Sequence, residues 1–179
     1  MLIERDHSHL IVIDVQERLM PAIAGMRQVL GRILLLMKAA RRLNVPILAT
    51  EHWPESIGPV AGAVKAIVGD GGIFSKRHFA ATAETGFSAR LDRNRPQVIL
   101  CGTEAHVCVL QTALGLLAAG LTPVVVSDAV GSREPTDRDA ALDRLRDAGV
   151  VVASAEMVVF EWLERAGTPE FREIIQLIK

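Results

Sequence analysis

His9-Leu-Ile-Val-Ile-Asp14 is a run of four aliphatic residues closed by an acid, with no polar residue alternating among them. A strand with one wet face alternates apolar and polar residues. An unbroken aliphatic run describes a strand buried on both faces, the condition of a parallel sheet covered by helices. The signature returns downstream in Val45-Pro-Ile-Leu-Ala-Thr50, Gln97-Val-Ile-Leu-Cys101, Thr122-Pro-Val-Val-Val-Ser127 and Val150-Val-Val-Ala153. Gly72-Ile-Phe-Ser-Lys76 is a weaker strand of the same kind. Pro46 lies near the start of its strand, where a missing N–H is tolerated.

Segments of helical period separate these runs. Leu19, Ile23, Met26, Leu30, Ile33, Leu34 and Met37 recur at helical spacing, although Pro21, Gly25 and Gly31 weaken the early part. Lys38, Arg41 and Arg42 follow at the end of that helix, where cations suit the negative end of the macrodipole. Further helices are expected from about Val107 to Ala119, from an N-cap at Thr136 to Gly149, and from Thr168-Pro169 almost to Lys179. Glu51 to Gly62, with Pro54, Gly58 and Pro59, reads as a loop. Such alternation predicts one α/β domain over residues 1–179: a doubly wound three-layer sandwich whose six-stranded, mostly parallel sheet carries helices on both faces.

The 179 residues are 50% hydrophobic but only 4% aromatic, and the formal net charge is -1. No basic run is present to neutralise phosphates, so a nucleic-acid partner is not expected. Cys101 and Cys108 make neither a disulfide framework nor a C-x-x-C pair. The run from Leu10 to Ile13 is too short for a signal peptide, and no stretch approaches the roughly 20 apolar residues of a membrane span. A cytoplasmic chain with no membrane partner is the expectation.

In open parallel sheets ligands bind beyond the carboxyl ends of the strands. Asp14 ends the first strand, Lys76 ends the third, and Cys108 follows the fourth at the start of a helix. Three reactive groups distant in sequence thus arrive at one edge. A helix N-terminus and a neighbouring ammonium are expected to favour the Cys108 thiolate. Asp14 would take the thiol proton and return it to the leaving group, Lys76 would hold the ionised partners, and backbone N–H groups between Gly102 and Cys108 would receive the oxyanion. His106 lies two residues from the nucleophile and points in another direction, which disfavours a Cys–His dyad. Cys101 reads as core, as do Phe74, Phe79, Phe87 and Leu110, with room for one or two of these four to border the mouth of the site.

Asp14-Val-Gln16, Lys76 after a strand, and Gly102-Thr-Glu-Ala-His-Val-Cys108-Val109 resemble the isochorismatase-like cysteine hydrolases, over nearly the whole chain from Ser8 to Ile178. Thr50-Glu-His-Trp-Pro54, His106-Val-Cys-Val-Leu-Gln-Thr112 and the segment from Ser132-Arg133 to Asp137-Arg138 are similar to the small isochorismatase domain-containing branch. The resemblance implies a Rossmann-like sheet, an Asp14–Lys76–Cys108 triad, and a cis peptide at Thr103–Glu104 that aims the Glu104 and Cys108 N–H groups at the oxyanion. It implies a thioester on Cys108 and a small amide, imide or related acyl substrate, with Gln16, His52, Trp53 and Thr103 as pocket candidates. True isochorismatases cleave a vinyl ether without a cysteine nucleophile, so Cys108 argues against that reaction. Nicotinamidases of the family hold a metal, but Glu51-His52 and His78 depart from their ligand spacing, so neither metal nor other cofactor is expected. The family and the aliphatic composition together suggest a homodimer or higher homo-oligomer. The competing functions are a peroxide-reactive thiol protein, or a catalytically silent scaffold on the same fold.

Overall fold

A computed structural model describes residues 1–178. Its elements run β1 (Ser8–Ile13), α1 (Met26–Arg42), β2 (Ile47–His52), α2 (Pro54–Ile57), α3 (Gly62–Val68), β3 (Ile73–Lys76), β4 (Gln97–Thr103), α4 (Leu110–Ala118), β5 (Thr122–Gly131), α5 (Pro135–Asp147), β6 (Val151–Ala153), α6 (Ala155–Leu163) and α7 (Pro169–Ile178). The six strands lie in the order β3-β2-β1-β4-β5-β6. Every neighbouring pair is parallel, where the sequence promised only a mostly parallel sheet.

The aliphatic runs divide by parity, as the two-residue period of a strand requires. Leu10 and Val12 of β1, Ile99 and Cys101 of β4, and Val124 and Val126 of β5 face one core, which α1, α3, α6 and α7 cover. Ile11 and Ile13, Val98 and Leu100, and Val125 face the other, under α4 and α5. The weaker strand β3 and the short β6 take the two edges, where burial on both faces is not required.

Several elements differ from the sequence expectations: α3 (Gly62–Val68) was not anticipated, and α5 is capped at Glu134 with Pro135 at its first position instead of at Thr136. α1 starts at Met26, because Gly25 in the left-handed region (φ 63°) turns the chain into the helix, and Leu19 to Ile23 form turns. The stretch after Glu51 contains α2, a single turn opened by Pro54 at its first position and ended by Gly58 at φ 85°. α6 was not anticipated: Ser154 Oγ accepts from Met157 N at 3.3 Å, and Ala155, Val158, Val159 and Trp162 are its buried stripe.

The strand order reverses between β1 and β4. Outside the carboxyl ends of those two strands lies the crevice where doubly wound sheets take their ligands. At that edge Asp14 (φ 49°), Trp53 (φ 40°) and Glu104 (φ 55°) all adopt positive φ, and they directly follow or closely succeed β1, β2 and β4. Each such residue outside glycine costs about 1–3 kcal/mol and clusters of them mark functional edges.

Candidate active site

Asp14 is 1% exposed, and its carboxylate is held from two sides. Lys76 Nζ donates to Oδ2 at 2.7 Å and Thr50 Oγ1 donates to Oδ1 at 2.6 Å. Thr103 Oγ1 donates to the Asp14 carbonyl at 2.6 Å, fixing the backbone of the same residue. Lys76 reaches across β2 from the end of β3, and its Nζ also donates to the carbonyls of His78 and Phe79 at 3.2 Å each. An ammonium has three donors, and all three are committed. Lys76 is therefore a fixed cation, with no proton left to offer a substrate.

Cys108 lies in a single π turn, Ala105–Val109, between β4 and α4. Glu104 starts that turn from the left-handed region, and its carbonyl accepts from Val107 N at 2.9 Å and Val109 N at 3.3 Å. Those bonds tie the turn to the Glu104 carbonyl. Burial pushes the Cys108 thiol up, the Asp14 carboxylate adds to the rise, and Lys76 opposes it. That direction is opposite to the one the sequence led us to expect for Cys108. The cis peptide expected at Thr103–Glu104 is also absent: no described bond is cis, and the left-handed Glu104 reverses the chain in its place.

Of the pocket candidates, Gln16 is fully buried and its amide is spent on backbone. Its Oε1 accepts from His52 N at 2.7 Å, and its Nε2 donates to His52 O at 3.0 Å and Gly58 O at 2.6 Å. Gln16 and Thr103 thus brace the loops around the site, Gln16 through His52 and Gly58 and Thr103 through the Asp14 carbonyl. His52 is different. Its Nδ1 is buried without a hydrogen-bond partner, its ring lies 5.2 Å from that of Phe79, and burial followed by the Lys76 charge holds its pKa down. Trp53 and Phe79 are about half exposed, Arg77 sits 5.1 Å over the indole, and together they rim the Lys76 end of the site. Of the four residues read as core with one or two allowed at the mouth, Phe79 is exposed there, because its carbonyl and not its ring turns inward to Lys76. Phe87 and Leu110 are core.

Glu51 accepts from Ser75 Oγ at 2.6 Å and His78 Nδ1 pairs with Glu84 at 2.9 Å, so these two side chains and His52 do not converge. Among the described residues no three His, Cys, Asp or Glu side chains are grouped to hold a metal ion. His106 Nδ1 lies 3.0 Å from Ser132 Oγ. Cys101 faces the core on the opposite side of the sheet from Cys108.

Thr50 was missed in the sequence, as were the carbonyls of His78 and Phe79. A threonine closing the apolar run Ile47-Leu-Ala was the available signal, since a buried hydroxyl needs a partner. Main-chain acceptors carry no signal.

An isochorismatase domain profile matches residues 8–157. Isochorismatase domain-containing protein 2A of Mus musculus is 38% identical over 176 residues, covering 97% of this chain and 84% of the mouse protein. The secreted isochorismatase effector Isc1 of Phytophthora sojae is 36% identical over 178 residues, covering 96% of this chain and 84% of its own length. Among solved structures, the MAR1 ribonuclease of Caenorhabditis elegans superposes with a TM-score of 0.93 at 34% identity, over 99% of this chain and 92% of that one. The effector's name shows that relatives are not confined to the cytoplasm; for this chain, no helix among the described residues is long and apolar enough to cross a membrane. Sequence, sheet order and domain match agree: the chain belongs to the isochorismatase-like hydrolase family.

Proposed function

We propose that the protein is a cysteine hydrolase that cleaves a small amide, imide or carbamoyl compound through a thioester on Cys108. What carries the reading is the Asp14 carboxylate, clamped by Lys76 and Thr50 beside a buried thiol whose ionisation responds to both charges. Because that thiol rests protonated, nucleophile activation and attack belong to one event. As Sγ bonds to the substrate carbonyl carbon, its proton passes to Asp14, and the carbonyl oxygen gains charge before the backbone N–H groups of Glu104 and Cys108. Collapse of the adduct breaks the carbon–nitrogen bond, and the departing nitrogen takes the proton from Asp14. A water molecule then gives its proton to Asp14 and attacks the thioester. Loss of the thiolate releases the acid, and Asp14 returns the proton to sulfur.

Lys76 stays charged throughout and keeps Asp14 in one rotamer. The rim of Trp53, His52 and Phe79 suits a small planar substrate, with the unpartnered His52 Nδ1 as a polar contact. A peroxide-driven disulfide cycle is disfavoured, since the sheet separates Cys101 from Cys108.

A panel of small carboxamides, imides and carbamoyl compounds tests the proposal by intact-protein mass spectrometry after acid quench. An acyl adduct mapping to Cys108, absent in Cys108→Ala, is the expected result. Turnover that persists in Cys108→Ala overturns it.

A further inference from the structure

The turn that carries Cys108 is gripped from outside by the loop between β5 and α5, at two points. Ser132 Oγ meets His106 Nδ1 at 3.0 Å, and Arg133 Nε donates to Glu104 Oε1 at 2.9 Å. The second contact is unusual in its imbalance. Glu104 is 8% exposed, and its Oε2 is buried without a hydrogen-bond donor; the nearest cation-forming atom is His106 Nδ1 at 3.4 Å. Arg133, by contrast, has a side chain 58% exposed. Among the described residues, a surface arginine is thus the one hydrogen-bond donor to a nearly buried carboxylate.

That carboxylate belongs to the residue whose backbone matters most locally. Glu104 holds φ 55° and ψ 61°, which an L-residue adopts only when its surroundings over-determine it. Its carbonyl accepts from the N–H groups on either side of Cys108, at Val107 and Val109. A buried carboxylate deprived of its cation must take up a proton or swing toward water. Either response loosens the peptide at Glu104 and the turn hung from its carbonyl.

We propose that Arg133 is a positioning residue for the nucleophile turn, acting through the Glu104 carboxylate to hold the 104 and 108 N–H groups where the oxyanion forms. The inference rests on the cysteine hydrolase reading. It assigns Arg133 no contact with substrate, and it makes the sulfur itself nearly indifferent to the pair. Oxyanion reception is the property that depends on it.

Two thiol reagents separate these properties. Iodoacetamide alkylates sulfur: a C–S bond forms, iodide leaves and the thiol proton goes to solvent, with no oxyanion. Propionaldehyde adds reversibly: the C–S bond forms as the carbonyl π bond breaks, and the thiol proton ends on the aldehyde oxygen, which passes through the oxyanion position. Aldehyde affinity is read as protection of Cys108 against alkylation.

In Arg133→Ala the aldehyde affinity should fall by roughly 10- to 100-fold, the penalty of small misplacement, while alkylation without aldehyde holds and the protein stays folded at the assay temperature. Arg133→Lys should recover most of the affinity, because a single charged donor is what Glu104 uses. Glu104→Gln, which keeps the side-chain shape, should reproduce the loss. The inference is overturned if Arg133→Ala keeps the unmutated affinity, if lysine rescues nothing, or if alkylation without aldehyde accelerates as the affinity falls, as a general loosening that exposes the buried thiol would dictate. An unmutated protein that aldehyde does not protect overturns the hydrolase reading itself, and this inference with it.

Discussion

At the scale of single residues the site depends on which ion faces the sulfur. Asp14 raises the Cys108 thiol and Lys76 lowers it, on top of the larger effect of burial. Replacing Asp14 with Asn removes the charge that opposes ionisation and leaves the Lys76 cation unpaired beside the sulfur. Both changes favour thiolate. Asp14→Asn should therefore move the pH midpoint of Cys108 alkylation downward while hydrolysis falls by about 10²–10⁴, the contribution of a positioned general base. Alkylation followed by mass spectrometry against pH, beside turnover of the same preparation, checks the opposition; a midpoint that moves upward removes Asp14 from its assigned role. Thr50→Val tests the other side of the clamp. It leaves Asp14 Oδ1 without its hydroxyl donor and should cost about 1.5–3 kcal/mol, the usual worth of a hydrogen bond to a charged group, measured by denaturant unfolding.

At the scale of elements, β1 and β4 approach more closely at the site than side chains permit. Gly102 pairs with Ile13 at φ 133°, and a Cβ there would stand 2.0 Å from Ile13 O and 2.6 Å from its N. Backbone cannot yield as a flexible side chain does, so Gly102→Ala should destabilise by about 4 kcal/mol or more, a core-clash magnitude, seen in chemical denaturation. The strands themselves were legible because burial on both faces leaves an unbroken aliphatic run, and Asp14, Lys76 and Cys108 were legible because each interrupts or follows such a run. α6 was not. Val158, Val159 and Phe160 resemble a strand in composition, and only the Ser154 cap and the spacing of Ala155, Val158, Val159 and Trp162 speak for a helix. The π turn was equally hidden, since Ala105 to Val109 carry no residue that separates it from an ordinary first helical turn. Nor does a sequence display the charge balance around a thiol, which is why Cys108 looked activated before its neighbours were in view.

Across the whole molecule, the acid response follows from groups that the fold holds uncharged or charged. His9, the second residue of β1, lies at the edge opposite the site, 4% exposed, and its Nε2 accepts from Asp92 N at 2.9 Å, tying the strand to the chain that leads into β4. Burial lowers its pKa from the ordinary 6.5, with the Asp92 carbonyl pulling the other way; His52 is lowered too, by burial first and then by Lys76. A histidine depressed by folding binds more protons when unfolded. Its contribution to stability is therefore complete above the unfolded value of 6.5 and lost as pH falls toward the folded value. Glu84 acts in a lower window. The N–H of Arg77, the His78 ring and the N–H of His78 hold it down to about 2, so its contribution is present above 4.5 and disappears as pH falls through about 2. Melting temperature should accordingly decline in two stages on acidification, the first beginning near neutrality. His9→Gln can retain a ring-free acceptor for Asp92 N, and it should lessen the first stage, leaving the share due to His52 and the whole of the second. Thermal melts from pH 8 downward distinguish the outcomes: a first stage of the same slope in His9→Gln would mean that the edge beneath β1 tolerates a charged imidazole and that His9 has no part in the acid response.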